Sequence, residues 1–387
     1  MSRQDIAGAR RIVIKLGTGV VTHPAAGLAL GRLSSLVEGV ADLHRQGREV
    51  IVVSSGAVGM GQRVLGMARR PDSLGLRQAC AAVGQGHLIA LYTQLFGQLG
   101  VKAAQVLLTQ EDLGDRDRAL CVRTTLMRLL ELGVVPILNE NDSVSVRELI
   151  EYRRGQGEGA PALEFGDNDG LSARVAAAVD ADLLVILTDV DGLYTANPTK
   201  DPAARRIPEL PSVDDEALAR TIGASAGGTG GMTSKLEAAK LASRVGIGVL
   251  ITSGHLPGAL VAALSGEDRG TYIPPAARRS AHRRQIASGG AARGAVVVND
   301  GAIAALHARK ASLLPIGIVR VEGDFARGDV VEIRDGSGRV HGRGLVNYSA
   351  EECRRLAGRH SSEIAAALGF CGYDTVITRD HLALTEV

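Results

Sequence analysis

Five short apolar runs punctuate the first 255 residues, and each stops at glycines, hydroxyl residues or carboxylates. They fall at 12–16, 50–53, 134–138, 183–187 and 247–251, rich in Val, Ile and Leu and without polar alternation. Runs of that kind are strands buried on both faces. Between them apolar residues recur at helical spacing, as at Leu30, Leu33, Val37 and Val40, at Leu126, Leu129 and Leu130, and at Leu236, Ala239 and Leu241. Strands alternating with helices predict a mainly parallel sheet covered on both sides, an α/β three-layer αβα sandwich. Ligands of such sheets gather at the carboxyl ends of the strands, where this chain places its glycines and polar groups.

The 387 residues allow two or three domains, and 45% hydrophobic with 22% charged residues excludes a disordered or fibrous chain. A net charge of +2 and only ten aromatic residues argue against a nucleic-acid binder driven by bulk charge or stacking. The four cysteines, at 80, 121, 353 and 371, form no CxxC pair, which disfavours a zinc site or a disulfide framework. No stretch is long and apolar enough to span a membrane, and the N-terminal residues lack the apolar core of a signal peptide. A reducing cytoplasm is the expected location.

Composition changes near residue 270, where Tyr272-Ile-Pro-Pro275 precedes Arg278, Arg279, Arg283 and Arg284. Beyond it, candidate strands at 295–298, 317–321, 330–333 and 344–348 are separated by turn pairs such as Asp335-Gly336, which predicts a small β-rich domain. The expected division is a catalytic domain over 1–270, a linker over 271–290, the β-rich domain over 291–375 and a tail over 376–387.

Six motifs at strand or helix ends carry possible chemistry. Val13-Ile-Lys15-Leu-Gly17-Thr-Gly19 runs a strand into a glycine turn, with Lys15 able to meet a phosphate. It is no dinucleotide fingerprint, since Thr22 stands where a third glycine belongs, and an ordinary tight turn would look the same. The Ser54-Ser55-Gly56 turn suits an anion or carboxylate. Asn139-Glu140-Asn141-Asp142 ends a buried strand, as a site rim or an Asx-rich turn. Asp167-Asn168-Asp169 precedes a helix that it could merely cap. Thr188-Asp189 follows another buried strand. Last, Gly227-Gly-Thr229-Gly230-Gly231-Met232-Thr233-Ser234-Lys235 opens a helix with exposed amides, hydroxyls and a lysine, a cradle for a polyphosphate or else a flexible linker. Only six of the 44 basic residues are lysines, and two of the six stand in these motifs. Phosphoryl transfer needs charge neutralisation and alignment more than covalent participation, and these are the parts on offer.

The order of these motifs resembles the amino acid kinase family. VIKLGTGV at 13–20, VSSGAVGMG at 53–61, NENDSVS at 139–145, GDND at 166–169, LTDVDGLYT at 187–195 and GTGGMTSK at 228–235 carry the likeness. The C-terminal part resembles a PUA domain, a small β-rich pseudo-barrel, from AVVVNDG at 295–301 through SLLPIG at 312–317 to GDVV at 328–331. The resemblance implies transfer of the γ-phosphoryl of ATP to the side-chain carboxylate of glutamate, the first step of proline biosynthesis. It implies catalytic roles for Lys15, Lys235 and Asp169, with Asp169 orienting both lysines. Ser55, Asp142 and Asn168 would hold glutamate. Lys15, Thr188, Asp189 and the loop Thr229, Gly230, Gly231, Met232, Thr233, Ser234 and Lys235 would hold ATP. Mg2+ would be bridged by the nucleotide phosphates, with no protein ligand assigned. A homo-oligomer (dimer or tetramer) and feedback inhibition by proline are further implications, and RNA is a conceivable partner of the PUA domain. The chain departs from the pattern at Gly170, where the family carries asparagine, and in a longer segment over 147–165. The alternatives are a kinase of another small acid, acetylglutamate or aspartate, and an RNA-binding protein acting through the PUA domain.

Overall fold

Because the apolar runs have no polar face to turn toward water, they stack side by side at the centre of one sheet. A computed structural model of the chain describes residues 3–23, 28–69, 71–145, 168–196, 198, 201–213, 231–276, 292–309, 311–369 and 373–384. Its first unit, Met1–Ala277, runs β1 (Arg11–Leu16), α1 (Thr18–Val21), α2 (Leu30–Arg45), β2 (Glu49–Val53), α3 (Ala57–Val64), α4 (Leu74–Gln98), β3 (Lys102–Leu108), α5 (Gln110–Gly114), α6 (Arg116–Glu131) and β4 (Val134–Glu140). It continues with α7 (Asn168–Ala178), β5 (Leu183–Thr188), the short strands β6 (Leu193–Tyr194) and β7 (Arg206–Ile207), α8 (Met232–Arg244), β8 (Gly248–Ser253), α9 (Ala259–Leu264) and β9 (Thr271–Ile273).

The main sheet has the order β3-β4-β2-β1-β5-β8-β9, parallel throughout except for β9 against β8. In register, Lys15 lies beside Val53 of β2 and Ile186 of β5. Alternation along the strands divides the core in two. Ile12, Ile14, Val52 and Val185 face Leu33 of α2, Leu88 and Tyr92 of α4 and Leu260 of α9. Val13, Ile51, Leu184 and Ile186 face Leu126 of α6, Leu171 of α7 and Leu236 of α8. These are the three layers that the sequence predicts, with helices on both sides of a mainly parallel sheet.

Helices α3 and α4 touch backbone to backbone. A Cβ at Gly61 would lie 1.8 Å from the Cys80 carbonyl oxygen, and one at Gly84 would lie 1.8 Å from that of Ala57. Glycine is required at both positions because any side chain would occupy the neighbouring main chain.

The second unit, Arg278–Val387, holds β10 (Gly294–Val298), α10 (Asp300–Arg309), β11 (Ile318–Gly323), β12 (Val330–Arg334), β13 (Val340–Leu345), α11 (Ala350–Leu356), α12 (Ile364–Leu368) and β14 (Leu382–Leu384). Its five-stranded sheet has the order β11-β10-β12-β13-β14. The Asp335-Gly336 turn joins the antiparallel pair β12 and β13.

Three boundaries differ from those expected. The last candidate strand, at 344–348, is displaced: β13 ends at Leu345, and the Asn347 N–H turns to the Val376 carbonyl. The expected tail contributes β14 to the sheet, and Val376 and Ile377 are wholly buried there. The expected linker begins with β9, whose Tyr272 is buried and accepted by the first sheet. In each case a few apolar residues find a strand partner remote in sequence, which local pattern does not reveal.

Candidate active site

Parallel strands deliver their carboxyl ends to one edge of the sheet, and the polar residues collect there. Lys15 follows Val13 on the strand face that packs against α7 and α8, so its ammonium leaves water altogether, with 1% of the side chain exposed. A charge so placed must be paired. Asp169, in the first turn of α7 and 0% exposed, brings Oδ1 to 2.8 Å from Lys15 Nζ. Its Oδ2 lies 3.4 Å from Lys235 Nζ and 2.8 Å from Ser234 Oγ, both in the first turn of α8. Burial pushes the Asp169 pKa up, and the charges of Lys15 and Lys235 outweigh it, so the carboxyl is held below its ordinary value. Two ammonium groups thus converge on one carboxylate, a setting that favours a polyanion.

The N-terminus of α8 adds donors. Gly231 stands at its cap without a side-chain hydrogen bond, and the main-chain amides of Met232, Thr233 and Ser234 follow. Thr229 and Gly230, expected to continue this cradle, lie outside the described residues. Thr188 ends β5 buried, with its hydroxyl 2.9 Å from Asp189 Oδ1. The Gly17 N–H donates to the Leu187 carbonyl at 3.0 Å, and Gly19 stands beside the Asp189 side chain, so this turn abuts Thr188 and Asp189.

A second cluster forms around Asn168. Its Nδ2 reaches the Ser54 carbonyl at 2.8 Å, Ser55 Oγ at 2.9 Å and Asn139 Oδ1 at 2.9 Å. Asn139 Nδ2 in turn donates to Gln85 Oε1 at 2.7 Å. Behind the turn, Ser54 Oγ lies 2.8 Å from the Tyr92 hydroxyl, whose pKa burial raises. Asp142 lines a concavity of about 310 Å3 together with Gln85, Glu140, Asn141 and Ser143. Since Asn168 and Asp169 are consecutive at the start of α7, the cationic cluster and the amide cluster adjoin one another.

The structure thus brings together Lys15, Asp169, Lys235 and Ser234, and separately Ser55 with Asn168. Met232 packs against the apolar core, and no contact of Thr233 with the other expected nucleotide residues emerges among those described. Sequence alone gives Ser54 only as part of an anion-binding turn and Asn139 only as part of a strand-end rim, and it passes over Gln85, which lies in α4, a helix whose apolar stripe begins with small residues. Among the described residues no group of three or more His, Cys, Asp or Glu side chains is placed to hold a metal.

Residues 10–253 match the model of the amino acid kinase family, and residues 294–368 match the PUA domain. The chain belongs to the amino acid kinase family. Among its relatives in that family is a glutamate 5-kinase of Synechococcus, 46% identical over 96% of this chain and 98% of its own length. Another from Myxococcus xanthus is 46% identical over 99% and 98%, and one from Thermus thermophilus is 45% identical over 98% of each chain. The amino acid kinase match covers the parallel strands with their Lys15, Asp169 and Lys235 cluster, and the PUA match covers β10 to β13 of the second sheet. No helix among the described residues is long and apolar enough to cross a membrane.

Proposed function

We propose that this chain transfers the γ-phosphoryl of ATP to the γ-carboxylate of L-glutamate, giving γ-glutamyl phosphate and ADP. The buried pairing of Asp169 with both Lys15 and Lys235 carries the reading. A carboxylate with an ordinary pKa of about 4.3 is already ionised at neutral pH, so the nucleophile needs no general base. The obstacle is repulsion between two anions. Lys15 and Lys235 neutralise the charge that spreads over the transferring group, while Asp169 holds both ammonium groups in place before the phosphates arrive. A carboxylate oxygen of glutamate bonds to the γ-phosphorus as the bond to the β-γ bridging oxygen breaks, and ADP leaves with that electron pair.

The amides at the start of α8, with Thr188 and Asp189, hold the nucleotide; Ser55 and Asn168 hold a carboxylate of glutamate, and Asp142 meets its ammonium. Both oxygens of Asp169 already face cations or a hydroxyl, so Mg2+ fits as a partner of the nucleotide phosphates, whose charge it shares with the two lysines. The relatives named above support glutamate as the acceptor. The test is ADP release measured with glutamate, acetylglutamate and aspartate in turn. Glutamate is expected to give the highest kcat/KM, and a better result with either of the others overturns the assignment.

A further inference from the structure

We infer that Gln85 is a positioning residue for the acid-binding half of the site, setting the direction of an amide relay that ends at the Ser55 hydroxyl. The inference rests on the reading that Ser55 and Asn168 hold glutamate. Gln85 reaches the site because α3 and α4 cross at Gly61 and Gly84, where no Cβ separates the two main chains. That crossing sets residue 85 against the end of β4, and its Oε1 accepts from Asn139 Nδ2 at 2.7 Å.

An amide has a donor end and an acceptor end, and a buried run of amides is satisfied only when donors meet acceptors. With its NH2 committed to Gln85, Asn139 presents Oδ1 to Asn168, which donates from Nδ2 at 2.9 Å. The same Nδ2 faces Ser55 Oγ at 2.9 Å and the Ser54 carbonyl at 2.8 Å, both as acceptors. Nδ2 carries two hydrogens for these three acceptors, so at least one is shared among them, and Ser55 Oγ, facing a donor, keeps its own O–H for the ligand side. A carboxylate accepts hydrogen bonds and donates none, so this polarity suits glutamate.

Without the Gln85 oxygen, Asn139 is free to turn, and its NH2 then confronts the NH2 of Asn168. Relief by turning Asn168 would set its carbonyl against that of Ser54 and draw the Ser55 hydrogen inward. Gln85 thereby decides whether Ser55 donates outward or inward. It does so without being placed against the reacting atoms.

The experiment uses the full chain with Gln85→Leu, Ser55→Ala and the double variant, measuring kcat and KM for glutamate and for ATP, with thermal melts as a check on folding. Gln85→Leu is expected to raise the glutamate KM about tenfold, to leave kcat and the ATP KM within about twofold, and to add less than twofold in the Ser55→Ala background. An unchanged glutamate KM, or a full tenfold addition in the double variant, overturns the relay. Gln85→Met, similar in length and also lacking the acceptor, gives the same reading if the leucine variant folds poorly. Should Ser55→Ala itself leave the glutamate KM unchanged, the placement of glutamate fails and the relay with it. If Ser55→Ala is impaired but Gln85→Leu is silent or additive, the relay alone fails.

Discussion

Lys15 Nζ and Asp169 Oδ1 lie 2.8 Å apart with 1% and 0% of their side chains exposed, so this ion pair is shielded from bulk solvent. The arrangement explains why a lysine can occupy a strand face that is otherwise apolar. It also makes each lysine individually testable, since Asp169 retains one cation when the other is removed.

Replacing Lys15 or Lys235 by alanine is expected to lower kcat by roughly a hundredfold to a thousandfold, the scale for losing one group that stabilises developing charge. Circular dichroism would establish that each variant still folds. Near-normal turnover in either variant would remove that lysine from the reaction.

Asp169 has a lowered pKa in the folded chain, so its contribution to stability is present above the unfolded value of about 3.9 and is lost as pH falls through the folded one. Asp169→Asn has no such titration. The difference in Tm between the two proteins is therefore expected to be largest above about pH 5 and to shrink steadily toward pH 3. A constant difference over that range would show that the carboxylate is not held by its two lysines.

A reaction without a general base has no limb in its pH profile near neutrality. The value of kcat/KM for glutamate is expected to be flat from about pH 6 to pH 8, falling only as the substrate carboxylate protonates near its pKa of about 4.3. Rate measurements across that range that reveal an inflection near pH 7 would point to a proton-transfer group in the mechanism.

The far end of α7 is anchored by Arg123, which is 7% exposed. Its guanidinium donates to the Ala178 carbonyl and lies 2.9 Å from Asp180 Oδ2. Asp180 itself holds a left-handed backbone, φ +49°. Arg123→Ala is expected to cost about 2 kcal/mol and to lower Tm by roughly 4–8 °C, with KM for both substrates little changed. A thermal melt superimposable on that of the parent protein would show that the helix end does not depend on this contact.

Much of the site was legible because its residues stand in the motifs that end the apolar runs. Lys15, Asn168 and Asp169 each follow or open a regular element, and the glycine loop pointed to Lys235. The central strands were legible for the same reason. Strand β3 was not: as an edge strand it opens Lys102-Ala-Ala-Gln105 and exposes much of its surface, so it has no continuous apolar run. Helix α4 was also missed, although Cys80, Gly84, Leu88, Tyr92 and Phe96 recur every four residues. Two of those five are small or weakly hydrophobic, because the stripe meets a main chain at one end and a core at the other. Gln85 was illegible in consequence, since its role follows from a crossing with a helix more than twenty residues earlier.

Where α3 meets α4, the spacing is set by main-chain atoms, with no side chain between them to change rotamer. The Ser55 turn, at the start of α3, and Gln85, on α4, are thus held at main-chain contact distance, and any side chain added at Gly61 or Gly84 would push the two apart.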